Sequence, residues 1–453
     1  MLSYSTTAES PLFSDAQSHD NTRSETALVK EIKASHHLLR NNPVVRIGAT
    51  RFRASCIGNG ATPVFDPSVY PNAFVTAFKH WTHYCDFSGC SNFAGVQALA
   101  MMTAIVEGRA FIVRRRTTNF IPLQLEVVSP TGMASELEEP GRNGYIRGGI
   151  HYAKNGKAKR YAFFKLPKDH PDFSDTDVNW LPVEDVIDIR DVFHPGQSGA
   201  QPWITAGADF AKQYKDNQTV EIKSRMKRQG QQVYALKEAE PQPHGHAPGQ
   251  QTEKEKLIVR AGDLTVLNGV KDIKTASPPE ITGNYQEHNN QVLRMISGLF
   301  GIPFEMLTGD LTQVNYSSIR AGMINHRRFI AQFRTIYLEP AFNKVIRWFC
   351  EGYHLTPEPE LTAFFDNPYP YITPQWVWPE WEEIDPLKAA KALAQELQLD
   401  IISMEKIANQ RGSTLEQHLD SVQRSKQAAE ERGIIPNETP IAVTNEPSDD
   451  DDD

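Results

Sequence analysis

The chain has 453 residues, 47 Lys and Arg against 56 Asp and Glu, a formal net charge of −9 and four cysteines. That length holds roughly three domains of about 150 residues, or one elaborate body, and so few cysteines exclude a disulfide scaffold. Taken as a whole, the negative balance argues against a nucleic-acid partner, because phosphate binding needs positive surface, although a net charge does not locate its charges.

The first thirty residues are polar and lack the basic start and apolar core of a signal peptide, so they read as a flexible arm. The longest uncharged run, Phe87–Val106, is interrupted by Ser88, Asn92, Gln97 and Thr103 and reads as a buried helix, not a membrane span. A soluble protein made in a reducing compartment is expected. Residues 24–41 carry Leu28, Ile32, Leu38 and Leu39 at helical spacing, with Ser24 as the cap. Asn42-Pro43 then breaks the helix. Further helices are expected over 72–84 and 92–107, the second ended by Gly108. Short β-rich runs at 110–116, 123–129, 148–153 and 160–166 read as one small antiparallel sheet, with another strand at 183–189.

From Ile204 the pattern is helical to about Arg228. Residues 238–256 are a polar Pro/Gly/Gln segment, and 257–259 with 264–267 suggest a hairpin. A helix over 285–300 is stopped by Gly301-Ile302-Pro303. A long helix over 316–353 holds Pro340, which removes one backbone hydrogen bond and kinks it. Two or three short helices fill 385–432, and the tail 436–453, ending in five aspartates, reads as disordered.

Enzymatic signatures are missing. There is no P-loop, no G-x-S-x-G elbow, no H-E-x-x-H and no kinase set. His83, Cys85 and Cys90 lack the paired spacing of a zinc site, and small buried residues beside Trp81 are the better account. His244-Gly245-His246 reads as a solvated turn. Glu380, Glu382, Glu383 and Asp385 flank Trp376, Trp378 and Trp381 and read as a solvated face, not a two-metal site. No catalytic residue, metal or cofactor is expected, and no enzyme.

The stretch Gly301–Arg320, GIPFEMLTGDLTQVNYSSIR, resembles the signature of tailed-phage portal proteins of the lambda type. Three more segments resemble the family in order. They are Leu39–Pro43 with Gly58; Trp81, Asp86, Gly89 and Phe93; and Trp376-Val377-Trp378 followed by Asp385-Pro386, Lys388 and Ala390. Together they span about 35–435. The loop Asp191–Gln201 keeps the family's P-G-Q-x-G core but lacks the basic residue usual before its last glycine, and the acidic tail is outside the pattern.

The resemblance implies an α+β portal-protein fold assembling as a ring, usually of twelve subunits, at one capsid vertex. Double-stranded DNA would pass through it during packaging and ejection. The implied parts are a flexible N-terminal arm (1–35), wing (36–200), first stem helix (201–237), clip (238–280), second stem helix (281–300), tunnel loop (301–316), long kinked wing helix (317–355), helical crown (356–435) and acidic tail (436–453). Implied partners are other copies of the chain, DNA in transit, the terminase large subunit, the major capsid protein and scaffold, and the head–tail adaptor. No membrane is implied. The implied location is the virion, with the host cytoplasm during assembly.

Within the loop, Thr308, Gly309, Gln313, Asn315 and Tyr316 are hydrogen-bonding or permissive positions suited to sliding phosphate contact. Asn315 through Ser318 read equally as the N-terminal cap of the long helix. Ile204–Lys237 holds seven bases against three acids, and Lys212, Lys215, Lys223, Arg225, Lys227 and Arg228 are candidates to face DNA. The same residues fit pairing with an acidic neighbour or a solvated face. Two rival functions are a DNA-processing enzyme with a nucleic-acid channel and a monomeric capsid adaptor or scaffold. Residues 380–453 hold 18 acids and 7 bases, so the body before them is nearly neutral and the acidity belongs to the C-terminal region. That distribution suits a conduit better than a tight binder.

Overall fold

The computed structural model describes residues 25–433 except 142–143, 169, 194, 196, 198, 230–232, 238–269, 276–284, 313–314, 358–360, 362, 380, 382–385 and 412–413. The hairpin expected at 257–267, the His244–His246 turn, the acidic cluster at 380–385 and the tail from 434 lie outside these residues.

Helix α1 (Glu25–Asn41) stops where the sequence says, but Asn42-Pro43 also starts α2 (Pro43–Ile57), which the sequence reading passed over. The Asn42 carboxamide oxygen accepts from the Val44 and Val45 amides at 3.1 and 3.3 Å, and its NH₂ donates to Ala211 O at 2.8 Å. Proline follows at the first helical position, where its missing N–H costs nothing. One dipeptide is therefore both stop and start. Strand β1 (Thr62–Val64), α3 (Asn72–Trp81) and α4 (Phe93–Glu107) follow. Asn92 caps α4 by accepting from Gly95 N at 3.0 Å, and Gly108, at φ +81°, ends it. These helices bury a ring cluster of Phe74, Phe78, Trp81 and Phe349, with the Trp81 indole donating to Leu123 O at 2.8 Å.

The β-rich part is two antiparallel sheets, not one. Strands β2 (Arg109–Arg115), β3 (Gln124–Val128), β4 (Gly144–Arg147), β5 (Ile150–Ala153), β6 (Ala158–Phe164), β7 (Val178–Pro182) and β8 (Val186–Arg190) make a three-stranded sheet of order β3-β2-β8 and a four-stranded sheet of order β4-β5-β6-β7. Strands β4 and β7 were not foreseen. Residues Val183–Asp185, expected as strand, form a 3-10 turn ahead of β8. The four-stranded sheet has its own small core with Phe111, Ile150, Tyr161 and Phe163. Between the sheets the buried Arg109 guanidinium grips Asp188 through Nε at 2.7 Å and Nη2 at 2.6 Å.

A 3-10 turn (Trp203–Gly207) leads into α5 (Ala208–Gln229). The stem helix expected to reach 237 is shorter. Val233–Lys237 is strand β9, paired antiparallel with β10 (Val270–Thr275), and its Val and Tyr favour a ladder. Then come α6 (Tyr285–Leu299), α7 (Phe304–Thr308), α8 (Tyr316–Phe333) and α9 (Glu339–Tyr353). Between α8 and α9, Arg334–Leu338 is a π-helical turn, so the irregularity expected at Pro340 lies one turn ahead of it. Pro340 has no N–H for the carbonyl four residues back, and the ladder widens there. Helix α10 (Tyr369–Ile372) and β11 (Gln375–Val377) follow; β11 pairs antiparallel with β1. Three helices close the described chain: α11 (Pro386–Gln398), α12 (Met404–Gln410) and α13 (Leu415–Glu431). No described helix is long and apolar enough to cross a membrane.

Candidate nucleic-acid interface

The signature loop is held at both ends by its own backbone chemistry. At the end of α6, Ile302 N donates to Ser297 O at 3.1 Å and Gly301 N to Gly298 O at 3.0 Å, a Schellman ending that needs Gly301 at φ +59°. A Cβ there would come within 2.6 Å of the Phe329 ring. His326 Nδ1 lies 2.8 Å from Gly301 O, tying the turn to α8. Burial lowers the pKa of His326; against the Gly301 hydrogen bond, which favours the charged ring, burial and the nearby Arg327 and Arg334 charges keep it neutral.

Residues expected as irregular loop contain α7. It closes on Gly309 at φ +73°, whose N–H donates to Glu305 O at 2.8 Å. Thr308 turns its hydroxyl inward to Phe304 O at 3.0 Å and accepts from Asp310 N at 3.1 Å. Asp310 accepts from the Thr312 hydroxyl at 2.6 Å and the Thr312 amide at 3.0 Å, which lowers its carboxyl pKa. Asn315 caps α8, accepting from Ser318 N at 2.8 Å, so the cap reading of this residue holds geometrically while the residue itself stays exposed. Thr308, Gly309, Asp310, Thr312 and Asn315 form an exposed, mostly polar lip, with Leu311 exposed among them. Gln313 and the Tyr316 side chain lie outside the described residues.

Helices α5 and α6 pack against each other near α2, with Phe210 and Tyr214 partly buried and Val292 and Ile296 in the core. Farther along α5 one flank is open, and Val220, Ile222 and Met226 stand 63%, 56% and 66% exposed although Glu221 among them is buried. Lys212, Lys215 and Lys223 are exposed with no ion-pair partner among the described residues. Arg225 is not free: its Nε pairs with Glu221 at 2.7 Å. The side chains of Lys227 and Arg228 lie outside the described residues. The structure thus brings three of the six stem cations together on one helix as open charges and assigns a fourth to a local pair.

Two features of the site were missed by sequence reasoning. In the loop after β8, Gln197 is buried and closes the turn by accepting from Phe193 N at 2.8 Å while donating to Gly199 O at 3.1 Å. In the π-helical turn, Arg334 donates to Cys56 O and Ser55 O, each at 2.9 Å, and lies under Trp378 and Trp381 at 4.6 and 5.3 Å. The Trp box thereby docks on the long helix, with Trp376 donating to Asn343 at 2.7 Å and Trp378 to Glu339 at 3.1 Å. Cys85 is buried, as expected beside Trp81, whereas Cys90 is exposed. Among the described residues no three His, Cys, Asp or Glu side chains converge as metal ligands.

Comparison with known proteins bears on this arrangement. A probable portal protein of Halomonas phage phiHAP-1 is 22% identical over 334 residues, covering 70% of this chain. The match spans 62% of that relative's own length. Among solved structures, the neck of a native gene transfer agent particle computed with C12 symmetry shares 12% identity, 84% of this chain, 93% of the other and a TM-score of 0.46. An HK97-family phage portal protein from Corynebacterium diphtheriae shares 10% identity, 73% and 93% coverage and a TM-score of 0.32. No residue role follows from likenesses that loose. A family model described as phage portal protein, lambda family, matches residues 14–334, more than two thirds of the sequence. The Trp box lies beyond the matched residues. The chain belongs to the lambda family of phage portal proteins.

Proposed function

We propose that this chain is the subunit of a ring-shaped portal through which double-stranded DNA is packaged and later released, with α5 and α6 as its stem and 301–316 as the loop nearest the duplex. The observation that carries the reading, beside family membership, is the outer half of α5. A helix of 22 residues, about 33 Å long, shows Val220, Ile222 and Met226 to solvent, with none of the described residues covering them. Neighbours in a ring would cover such a flank. The β-rich 109–190 then serves as wing, 238–280 as the clip that meets the terminase motor and head–tail adaptor, and 386–431 as crown. Lys212, Lys215 and Lys223 repeat around the axis, so contacts weak in one subunit multiply in the ring.

The loop's part is tested by deleting 308–314 in the phage. Rings that form normally while packaged DNA is lost or leaks are the expected result. Loss of ring assembly would make the lip a structural element and overturn its contact with the duplex.

A further inference from the structure

Between positions 142 and 168 the sequence holds eight Lys and Arg and no Asp or Glu. Four of the eight cluster on the β5–β6 hairpin, far in the chain from the stem cations. Its turn is built on Asn155-Gly156: Gly156 N donates to Ala153 O at 2.9 Å, Gly156 sits at φ +79°, and Lys157 N donates to the Asn155 side chain at 3.2 Å. Lys154 and Lys157 flank that turn. A register shift opposite Tyr152 makes Lys159 the extra residue of a β-bulge and sets Arg160 across from His151. All four cations are exposed, and none has an ion-pair partner among the described residues. At the other end of the sheet the pattern reverses. Lys165 pairs with Asp177, and the loop to β7 also carries Asp172 and Asp175. The hairpin tip is therefore an unneutralised positive finger.

The geometry points to a second nucleic-acid contact: the β5–β6 hairpin grips the phosphate backbone of duplex DNA outside the channel, through Lys154, Lys157, Lys159 and Arg160. Strands β5 and β6 are both paired on either side, so a peptide cannot bind there by adding a strand. What the finger offers is side-chain charge on a two-stranded ribbon, which phosphates satisfy without base reading. The demand for a polyanion rests on the hairpin alone; the choice of duplex DNA rests on the portal reading.

The test uses the full-length protein and a duplex of about 30 base pairs, titrated by fluorescence anisotropy at several salt concentrations. The comparison is between wild type and a variant carrying Lys154→Gln, Lys157→Gln, Lys159→Gln and Arg160→Gln. Four phosphate contacts at about 0.9 each steepen the salt dependence, so the variant's slope should fall by about 3–4 units. Raising salt from about 50 to about 200 mM should then weaken wild type on the order of 100-fold more than the variant. An unchanged slope in a variant whose circular dichroism matches wild type overturns the proposal. So does a wild-type protein that binds a peptide of residues 434–453, which hold seven acids and no base, through this hairpin and shows no binding of duplex there. A photo-crosslinker at Asn155 gives an independent reading: transfer to DNA supports the contact, and transfer only to protein removes it. Electron micrographs of the same sample report ring formation separately, so failure of the portal reading and failure of this contact are distinguishable.

Discussion

Gly301 shows what a single residue contributes to the loop. Its φ of +59° and the Phe329 ring 2.6 Å from where a Cβ would stand leave no room for another residue. Gly301→Ala should destabilise the chain by about 1–3 kcal/mol, read as a fall in thermal midpoint. Asp188 is a second case. Burial pushes its carboxyl pKa up, but Arg109 and Arg190 push it further down, so it titrates below the usual range. A lowered carboxylate contributes stability that is present above its unfolded value near about 4 and is lost as pH falls through the folded one. Asp188→Asn removes the buried carboxylate that both Arg109 and Arg190 face, so the loss should be about 3–5 kcal/mol at pH 7. That gap should narrow below about pH 4, as acid removes the same charge from wild type; a gap independent of pH would show that the pair's charge is not what matters.

At the scale of elements, regular periodicity was readable and double-duty residues were not. Helix α4 was legible because Asn92 and Gly108 are unambiguous punctuation at its two ends. Helix α2 was not, since Asn-Pro ends one helix and begins another and only the second meaning involves Ala211, 169 residues away. Strands β4 (GYIR) and β7 (VNWLP) include Gly, Asn and Pro, which read as turn residues, and are held by pairing with β5 and β6. The lip residues were found by motif, yet α7 inside them was hidden between Pro303 and Gly309, both of which read as loop. What the π-helical turn positions was hidden too, because Arg334 within it reaches the last carbonyls of α2, far away in the chain. A guanidinium there meets the negative end of a helix as well as two acceptors. Arg334→Met keeps much of the side-chain volume but strands both carbonyls. It should cost about 2–4 kcal/mol and loosen the Trp box, seen as increased Trp fluorescence quenching by iodide. Unchanged stability and quenching would mean the box is held by Asn343 and Glu339 alone.

For the whole molecule the sign of the net charge misleads, and its placement informs. The acids gather after residue 380, the stem carries open lysines, and the β5–β6 hairpin carries four more cations that composition averaged away. The exposed apolar flank of α5 gives the same message in a different chemistry: this surface is unfinished in one copy. Images of the purified full-length protein in negative stain, with its mass in solution, test that most directly. Closed rings of uniform size, built from many 51.0 kDa subunits, are the predicted result. A stable 51.0 kDa monomer at micromolar concentration, with no ring at any salt concentration, would contradict the account.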